Sequence, residues 1–208
     1  MFGYLKLHPK TRIAFDAAHS SINERRFKKY DWYNFYRGAK EAITLDCPEP
    51  LGKSISTHCF VDANLAGNLI SIRSQTGVLI FCNRAPIIWH SNRQNAVETS
   101  TFGSEMMALK NGVKLVEAFR YKLIMFGAPI EGATNIYCDN EAVYKNCSVP
   151  DSTLRKKHQI ISYHRKREAI AASTCWIAKE DSKTNLNDLF TKIFSSIVRE
   201  ELLVRFMY

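Results

Sequence analysis

Four acidic side chains stand at the ends of predicted strands or at the starts of predicted helices, and their chemical type suits metal binding. Asp62 and Asp139 each end a β-rich run, and Glu105 and Asp188 each fall in the first turn of a predicted helix. Taken singly, such residues more often form turns or offset the helix dipole. If they converge, their repulsion requires a counter-charge, and Mg²⁺ or Mn²⁺ accepts carboxylate oxygens as ligands. Together they are a candidate site for divalent cations.

The first elements that would position these carboxylates follow from the spacing of apolar residues. β-Rich runs at 56–63, 77–83 and 85–91 are separated by short polar connections, which predicts three consecutive antiparallel strands. In residues 100–127 apolar side chains recur every three or four positions, which predicts a long helix with one face towards the core. Glu105 lies near the start of that helix.

The second half of the chain adds two strands and further helices. Residues 134–140 and 173–181 are β-rich, and residues 154–172 between them have a helical pattern. Residues 185–206 predict one last helix, with Asn185 as its N-cap. Its apolar stripe consists of Leu186, Leu189, Phe190, Ile193 and Ile197. Strands that follow the long helix need crossover connections and would be parallel, so we expect an α/β fold with a mixed five-stranded sheet flanked by helices.

The composition indicates a folded protein with a basic surface. The chain has 208 residues, of which 46% are apolar, and this suits one sizeable domain with an appended segment. Its net charge of +9 makes a polyanion the first partner to consider. No apolar run approaches the roughly 20 residues of a membrane span, and the N-terminus lacks the layout of a secretory signal. We therefore expect an intracellular protein without membrane association. Its six scattered cysteines favour reduced thiols over disulfides or a zinc site.

Two stretches combine positive charge with other features that nucleic acids use. Residues 24–41 interleave aromatic and basic side chains, which either stack on bases or, as such aromatics more often do, pack against a neighbouring part of the protein. Residues 155–167 are rich in Lys and Arg and are interpreted as a phosphate-contacting surface, with an ordinary solvated helix face as the alternative. Neither His158 nor His164 is placed in the catalytic set, because no acidic pair nearby argues for metal.

A series of motifs in order along the chain closely resembles one known family. The motifs are CFVDANLAG, RSQTGVLIF, APIIW, SNRQNAVETS, SEMMAL, IYCDN, KKHQIISYHRKRE and NDLFTK, and they cover residues from about 57 to 195. They resemble the ribonuclease H domain at the end of the Pol polyprotein of copia-type LTR retrotransposons. The resemblance implies a ribonuclease H-like fold, with three antiparallel strands plus two parallel ones. It also implies a catalytic and metal-binding set of four carboxylates, here Asp62, Glu105, Asp139 and Asp188.

The resemblance further implies an activity, a cofactor and partners. The expected reaction is hydrolysis of the RNA strand of an RNA/DNA hybrid with two Mg²⁺ ions, or Mn²⁺, where Asp62 bridges the ions. Glu105 and Asp139 would hold one ion, and Asp188 mainly the other. The hybrid would contact basic residues, namely Lys156, Lys157, His158, Arg165 and Arg167. Residues 1–50 would be the remnant of the segment that joins reverse transcriptase to the ribonuclease H-like domain at 51–208.

The same resemblance makes the reverse transcriptase portion of the polyprotein a second expected partner. The expected location is the cytoplasm, in a virus-like particle, or the nucleus.

The chain departs from the family pattern at several positions. Gly103 stands where an acidic residue is usual, Met106 where an aromatic residue is usual, and Ile193 where a proline is usual. Residues 180–187 also lack the accessory histidine of cellular ribonucleases H. None of these changes removes a predicted metal ligand. The alternative function is a catalytically inactive, nucleic-acid-binding remnant. The copia-like motifs outside the carboxylates disfavour a third interpretation, a nuclease on the same fold that acts on DNA.

Overall fold

Five strands and four helices form the domain in the computed structural model, which describes residues 6, 10, 12–67, 70–154 and 159–205. The strands are β1 Thr57–Asn64, β2 Gln75–Cys82, β3 Ala85–Arg93, β4 Thr134–Cys138 and β5 Cys175–Lys179. The helices are α1 Thr101–Met125, α2 Glu141–Ser148, α3 Ile160–Ala171 and α4 Ser196–Leu203. Short 3₁₀ helices span Glu24–Arg26 and Leu186–Phe190. In the described part of the chain, no helix combines the length and apolar character that a bilayer crossing requires.

The strands form one mixed sheet in the order β3-β2-β1-β4-β5. β1 pairs antiparallel with β2, and β2 pairs antiparallel with β3 through a short turn. The turn between β2 and β3 contains Asn83, whose φ of 54° is one that asparagine tolerates better than most residues. β4 pairs parallel with β1, and β5 with β4, because α1 and then α2 and α3 return the chain across the sheet. The predicted sheet and fold class are confirmed.

The two faces of the sheet are covered by different elements. On one face the buried stripe of α1, which includes Met106 and Val113, packs with Cys59 and Val61 of β1. On the other face Leu79 and Phe81 of β2 form a separate, smaller cluster. Their partners there are Leu186, Leu202 and partly buried neighbours that include Phe194. Because side chains of a strand alternate between the faces, the end of β1 can present residues to both layers.

Helix α1 lies very close to β1 at one glycine. A Cβ atom on Gly112 would stand 2.5 Å from Cγ1 of Val61, far inside normal contact distance. Glycine lowers the helix propensity at this position, but its missing side chain allows α1 to lie closer to the sheet. This approach brings Glu105, two turns earlier in α1, towards the end of β1.

Residues 12–50 have little regular structure, but they pack against the domain. Phe27 is buried beside Tyr137 of β4, with ring centroids 5.2 Å apart, and Trp32 is buried in the main core cluster. Glu41 forms a bidentate ion pair with Arg120 of α1, at 2.6 and 2.8 Å. Phe27 and Trp32 therefore pack against the domain, as one of the two interpretations of the aromatic residues in 24–41 predicts. The predicted domain boundary near residue 50 stays a prediction.

The prediction that residues 185–206 form one helix is wrong. The chain forms the 3₁₀ helix Leu186–Phe190, leaves helical structure over 191–195, and forms α4 only from Ser196. Ile193, predicted to face the core, is fully exposed. Asn185 is the N-cap as predicted, since its side chain accepts a hydrogen bond from Asn187 N. This break places Thr191 and Lys192 beside the carboxylates.

Candidate metal centre

Three of the four predicted carboxylates converge at one end of the sheet. Asp62, Glu105 and Asp139 each offer a carboxylate oxygen, and these oxygens lie within 4.8 Å of one another. Asp62 lies in β1, two residues before its end, and Asp139 directly follows the neighbouring parallel strand β4. Glu105 comes from the second turn of α1 rather than its first, because the helix begins at Thr101. In open α/β sheets, the carboxyl ends of neighbouring parallel strands are a usual place for a binding site.

Asp188 reaches the same centre from the 3₁₀ helix Leu186–Phe190. Its carboxylate is close enough to Asp62 and Asp139 for both to raise its pKa. Lys192 links the two sides, because its Nζ lies 2.8 Å from Asp188 Oδ1 and 3.7 Å from Asp62 Oδ1. The structure therefore brings all four sequence-predicted carboxylates together.

Hydrogen bonds between β1 and the last segment fix the position of Asp62. Thr191 Oγ1 donates to Asp62 Oδ2. Asn64 Nδ2 donates to Thr191 O at 3.0 Å, and Asn185 Nδ2 donates to Val61 O at 3.2 Å. These bonds join two segments more than 120 residues apart, and each holds a side chain or backbone next to Asp62. The 3₁₀ helix and the residue after it are thus positioned by the strand that bears the central carboxylate.

Gly77 makes room for this arrangement. It is the cross-strand partner of Asp62 in β2. A Cβ atom there would stand 2.8 Å from Asn187 Nδ2 and 2.9 Å from Thr191 Cγ2. Both distances are shorter than side-chain packing allows, so a larger residue would push the 3₁₀ helix away from the sheet. Gly77, Thr191 and Lys192 are part of the site, although the sequence pattern did not single them out. They lie inside the motifs RSQTGVLIF and NDLFTK, which was the signal that could have found them.

Burial and mutual repulsion raise the pKa values of three of these carboxyl groups. The pKa of Glu105 rises to about 9, mainly through burial and then through the charges of Asp62 and Asp139. Burial, with the charge of Asp62, also raises the pKa of Asp139. The pKa of Asp188 rises to about 7 through burial, although its hydrogen bond to Lys192 opposes the shift. Without a cation, the folded protein therefore resists ionisation of its own carboxyl groups.

The donor set fits a hard divalent cation. Among the described residues, Glu105 Oε2 is buried and has no hydrogen-bond partner, while the backbone N–H of Ala63 donates to the Glu105 carboxylate. A buried carboxylate oxygen without a partner is costly unless it is protonated or coordinates a cation. All candidate ligand atoms are oxygens, which suit Mg²⁺ or Mn²⁺ better than softer metals.

Comparison with known proteins identifies relatives of this chain. No protein-family model matches it. The "Retrovirus-related Pol polyprotein from transposon RE2" of Arabidopsis thaliana is 26% identical over 146 residues, which are 70% of this chain and 10% of that protein. The corresponding polyprotein from transposon TNT 1-94 of Nicotiana tabacum is 27% identical over 135 residues, 64% of this chain. The chain spans about a tenth of the length of the curated relatives it matches.

Solved structures with the same architecture are ribonucleases H. The RNase H1 of the archaeon Halobacterium salinarum has a TM-score of 0.50 and 14% identity, over 65% of this chain and 94% of that one. LC11-RNase H1, solved in complex with an RNA/DNA hybrid, has a TM-score of 0.52 and 13% identity at the same coverage. The chain is homologous to Pol polyproteins of plant transposons and has the ribonuclease H fold. The resemblance inferred from the motifs is thereby confirmed.

On this ribonuclease H fold, the predicted basic surface is partly wrong. Arg167 is buried, and its guanidinium donates to Val149 O at 3.0 Å and to Ser152 Oγ at 2.7 Å. Its Cζ also lies 4.8 Å from the centre of the Trp32 ring. Lys166 is fully buried as well, with its Nζ 3.2 Å from Met106 O. Arg167 therefore anchors the N-terminal segment and does not face a nucleic acid.

Of the other residues of the predicted basic surface, the structure describes Arg165. Arg165 is half exposed, and its guanidinium pairs with Glu117 and Glu168 at 2.9 and 3.1 Å. Its contact with a phosphate stays a prediction. Lys156, Lys157 and His158 lie outside the described residues. His164 is exposed and its Nδ1 hydrogen-bonds Tyr36 OH at 2.6 Å, away from the catalytic set in which it was not placed.

Near Gly103, which stands where the family usually has an acidic residue, the structure places the carboxylate of Glu98. The carboxylate of Glu98 occupies the space into which a side chain at residue 103 would extend. Gln159, just before α3, donates through Nε2 to Glu98 Oε2 at 3.2 Å. A negative charge is therefore present beside the start of α1 although residue 103 is glycine. Met106, the second departure, is fully buried in the main core, and Ile193 is exposed.

Proposed function

We propose that this chain is a metal-dependent ribonuclease H that hydrolyses the RNA strand of RNA/DNA hybrids. The observation that supports this most directly is the convergence of Asp62, Glu105 and Asp139 within 4.8 Å, with Asp188 beside them, on a ribonuclease H fold. All four candidate ligands are retained, which favours an enzyme over a catalytically inactive remnant that binds nucleic acid. The copia-type origin makes a hybrid formed during reverse transcription the expected substrate.

The proposed metal-binding roles of the four carboxylates are based on their positions. Asp62, Glu105 and Asp139 would hold one divalent cation, and Asp62 with Asp188 would hold a second. Bound divalent cations supply charge stabilisation at phosphorus and lower the pKa of a bound water, which is the general chemistry of two-metal sites. Thr191 fixes the carboxylate of Asp62 by its hydrogen bond. Ser182 Oγ donates to Asp139 Oδ2 at 3.2 Å and orients that ligand in the same way.

The proposed substrate preference needs contacts that distinguish RNA from DNA. The hydroxyl at the 2′ position is the group that DNA lacks, and hydrogen bonds to it are how a protein separates the two strands of a hybrid. A reverse transcriptase portion of the same polyprotein is the second proposed partner, and residues 12–50 would lie between the two parts. We also propose an intracellular site of action, in cytoplasmic particles or in the nucleus.

Cleavage of an end-labelled RNA/DNA hybrid by the purified chain tests the proposal. We expect cutting of the RNA strand with Mg²⁺ or Mn²⁺, none with chelator, and none by Asp62→Asn. Asp139→Asn keeps the shape of the site and removes one negative charge near the scissile phosphate. It should abolish cleavage while salt-titrated binding of the hybrid is retained or tightened. Hybrid binding without any metal-dependent cleavage by the wild type would instead support the inactive remnant.

A further inference from the structure

A lysine ammonium lies at the carboxylate centre and forms its ion pairs with Asp62 and Asp188. Lys192 Nζ is 2.8 Å from Asp188 Oδ1 and 3.7 Å from Asp62 Oδ1. The Lys192 side chain is 34% exposed, whereas the side chains of Asp62 and Asp188 are 1% and 6% exposed. The ammonium therefore approaches two buried carboxylates from the solvent side.

Among the residues that the structure describes, no cation forms an ion pair with the opposite side of the centre, at Glu105 and Asp139. Within the described ranges, Lys192 is the residue that forms ion pairs with the four carboxylates, and it pairs with Asp62 and Asp188 alone. Asp139 accepts a hydrogen bond from the neutral hydroxyl of Ser182, and Glu105 Oε2 is buried without a partner. No described ion pair therefore has to break when a divalent cation enters between Asp62, Glu105 and Asp139, whereas Lys192 has to be displaced from between Asp62 and Asp188.

The backbone holds Lys192 in place while its side chain can move. The backbone N–H of Lys192 donates to Asp188 O at 2.9 Å, so the two residues stay one turn apart. The side chain is a flexible stem of four carbons, and its partial exposure leaves room for another rotamer in solvent. Movement of the ammonium thus requires no change in the 3₁₀ helix or in β1.

We propose that Lys192 is a positioning residue that occupies the Asp62–Asp188 side of the metal centre and must leave it before a second divalent cation binds there. This inference rests on the proposed function and assigns an order to metal binding. The first cation binds between Asp62, Glu105 and Asp139, and the second binds more weakly because it competes with a charge that belongs to the chain. Lys192 also keeps Asp62 and Asp188 together when the second cation is absent.

Direct counting of bound Mn²⁺, without nucleic acid, tests the inference. Titration of the full chain, followed by electron paramagnetic resonance of free Mn²⁺ and by calorimetry, gives the number of sites and each affinity. The wild type should bind one ion more tightly than the other. Lys192→Gln should tighten the second, weaker site about tenfold and the first site by less, because the lost charge lies nearest Asp188. Lys192→Arg retains the charge and should keep the second site weak.

Matched variants separate this effect from a general change in charge. Lys183→Gln removes one exposed positive charge from the loop that also contains Ser182, and it should leave both affinities unchanged. Asp188→Asn should remove the second site and keep the first. Thermal unfolding of each variant in chelator verifies that the fold is retained.

The outcomes distinguish the inference from the proposed function. If Lys192→Gln binds the second ion no more tightly than the wild type does, Lys192 does not compete for that side and the inference is overturned, although a first site abolished by Asp62→Asn would still support the metal centre. If neither the wild type nor Lys192→Gln binds Mn²⁺ in an Asp62-dependent way, both the inference and the proposed metal centre are overturned.

Discussion

The pKa of the Glu105 carboxyl group is shifted further than that of Asp188, and this shift has a measurable effect on stability. The pKa of Glu105 rises from an ordinary value near 4.5 to about 9 through burial and the charges of Asp62 and Asp139. A group whose pKa is raised on folding contributes stability that is fully present below the unfolded value and is lost as pH rises towards the folded value. In the metal-free protein, Glu105 therefore costs progressively more stability between pH 4.5 and pH 9.

Glu105→Gln should remove this cost. Urea unfolding in chelator is expected to show the variant more stable than the wild type by about 1 to 3 kcal/mol at pH 8, with a smaller difference at pH 5. Addition of Mg²⁺ should narrow or reverse the difference at pH 8, since the cation stabilises only the chain that retains its ligand. A difference that does not vary between pH 5 and pH 8 would show that the Glu105 carboxyl titrates normally.

Several residues of the site could be predicted from the sequence, and others could not, for one physical reason. Asp62 lies near the end of one strand and Asp139 directly follows another, and the patterns of both strands are local; Glu105 lies in a long helix whose apolar spacing is clear. Arg167 was misjudged because its partners, Trp32 and the turn that contains Ser152, come from other parts of the chain. A run of basic residues is usually exposed, and only tertiary contacts with aromatic rings and carbonyls reverse that expectation.

At the scale of elements, the close approach of α1 and β1 determines how near Glu105 comes to Asp62. Gly112→Ala normally stabilises a helix by about 0.5 to 1 kcal/mol. Here the added methyl group would meet Val61 at 2.5 Å, so we expect a loss of about 1 to 3 kcal/mol and weaker binding of the first Mn²⁺ ion. Denaturant unfolding and the Mn²⁺ titration measure the two effects.

A double-mutant cycle with Val61→Ala provides the control for this clash. Val61→Ala alone should destabilise the protein, because it leaves a cavity in the core. The double variant Gly112→Ala/Val61→Ala should be less destabilised than the sum of the single variants, since the new methyl group fills the space that Val61 vacates. Additive effects would mean that α1 and β1 do not meet at this contact.

The last helix shows why element boundaries were harder to predict than elements. Leu186, Leu189, Phe190 and Ile193 have helical spacing, yet regular helix stops at Phe190. Thr191 is held by its hydrogen bond to Asp62, and Asn64 binds its carbonyl, so tertiary contacts with β1 replace the next helical turn. The interruption occurs where the chain must deliver Thr191 and Lys192 to the site, which is a constraint that local spacing does not contain.

For the whole molecule, the N-terminal segment is bound by ion pairs as well as by aromatic packing. Arg120 is 5% exposed, and Glu41 neutralises it through two hydrogen bonds. Glu41→Gln leaves this buried guanidinium without its counter-charge, and we expect a loss of about 1 to 3 kcal/mol. Glu49→Gln, an exposed change in the same segment, should alter stability by less than about 0.5 kcal/mol.

Denaturant unfolding of both glutamate variants measures the difference. Equal stability of Glu41→Gln and Glu49→Gln would indicate that residues 12–50 are not held against α1 in solution. A selective loss in Glu41→Gln would indicate that any fragment beginning at residue 51 lacks contacts on which the domain depends.

The separate cluster beneath the 3₁₀ helix also has a consequence for motion. Leu79, Phe81, Leu186 and Leu202 form a small apolar layer that is distinct from the main core around α1. Because it buries fewer side chains, the segment from 186 to 203 can unfold locally at a lower free energy than the sheet does. Asp188 and Lys192 would leave with it, while Asp62, Glu105 and Asp139 stay on the main core. The centre can thus exist in an open, incomplete form in a protein that is otherwise folded, and the population of that form is set by a cluster that contains none of the four carboxylates.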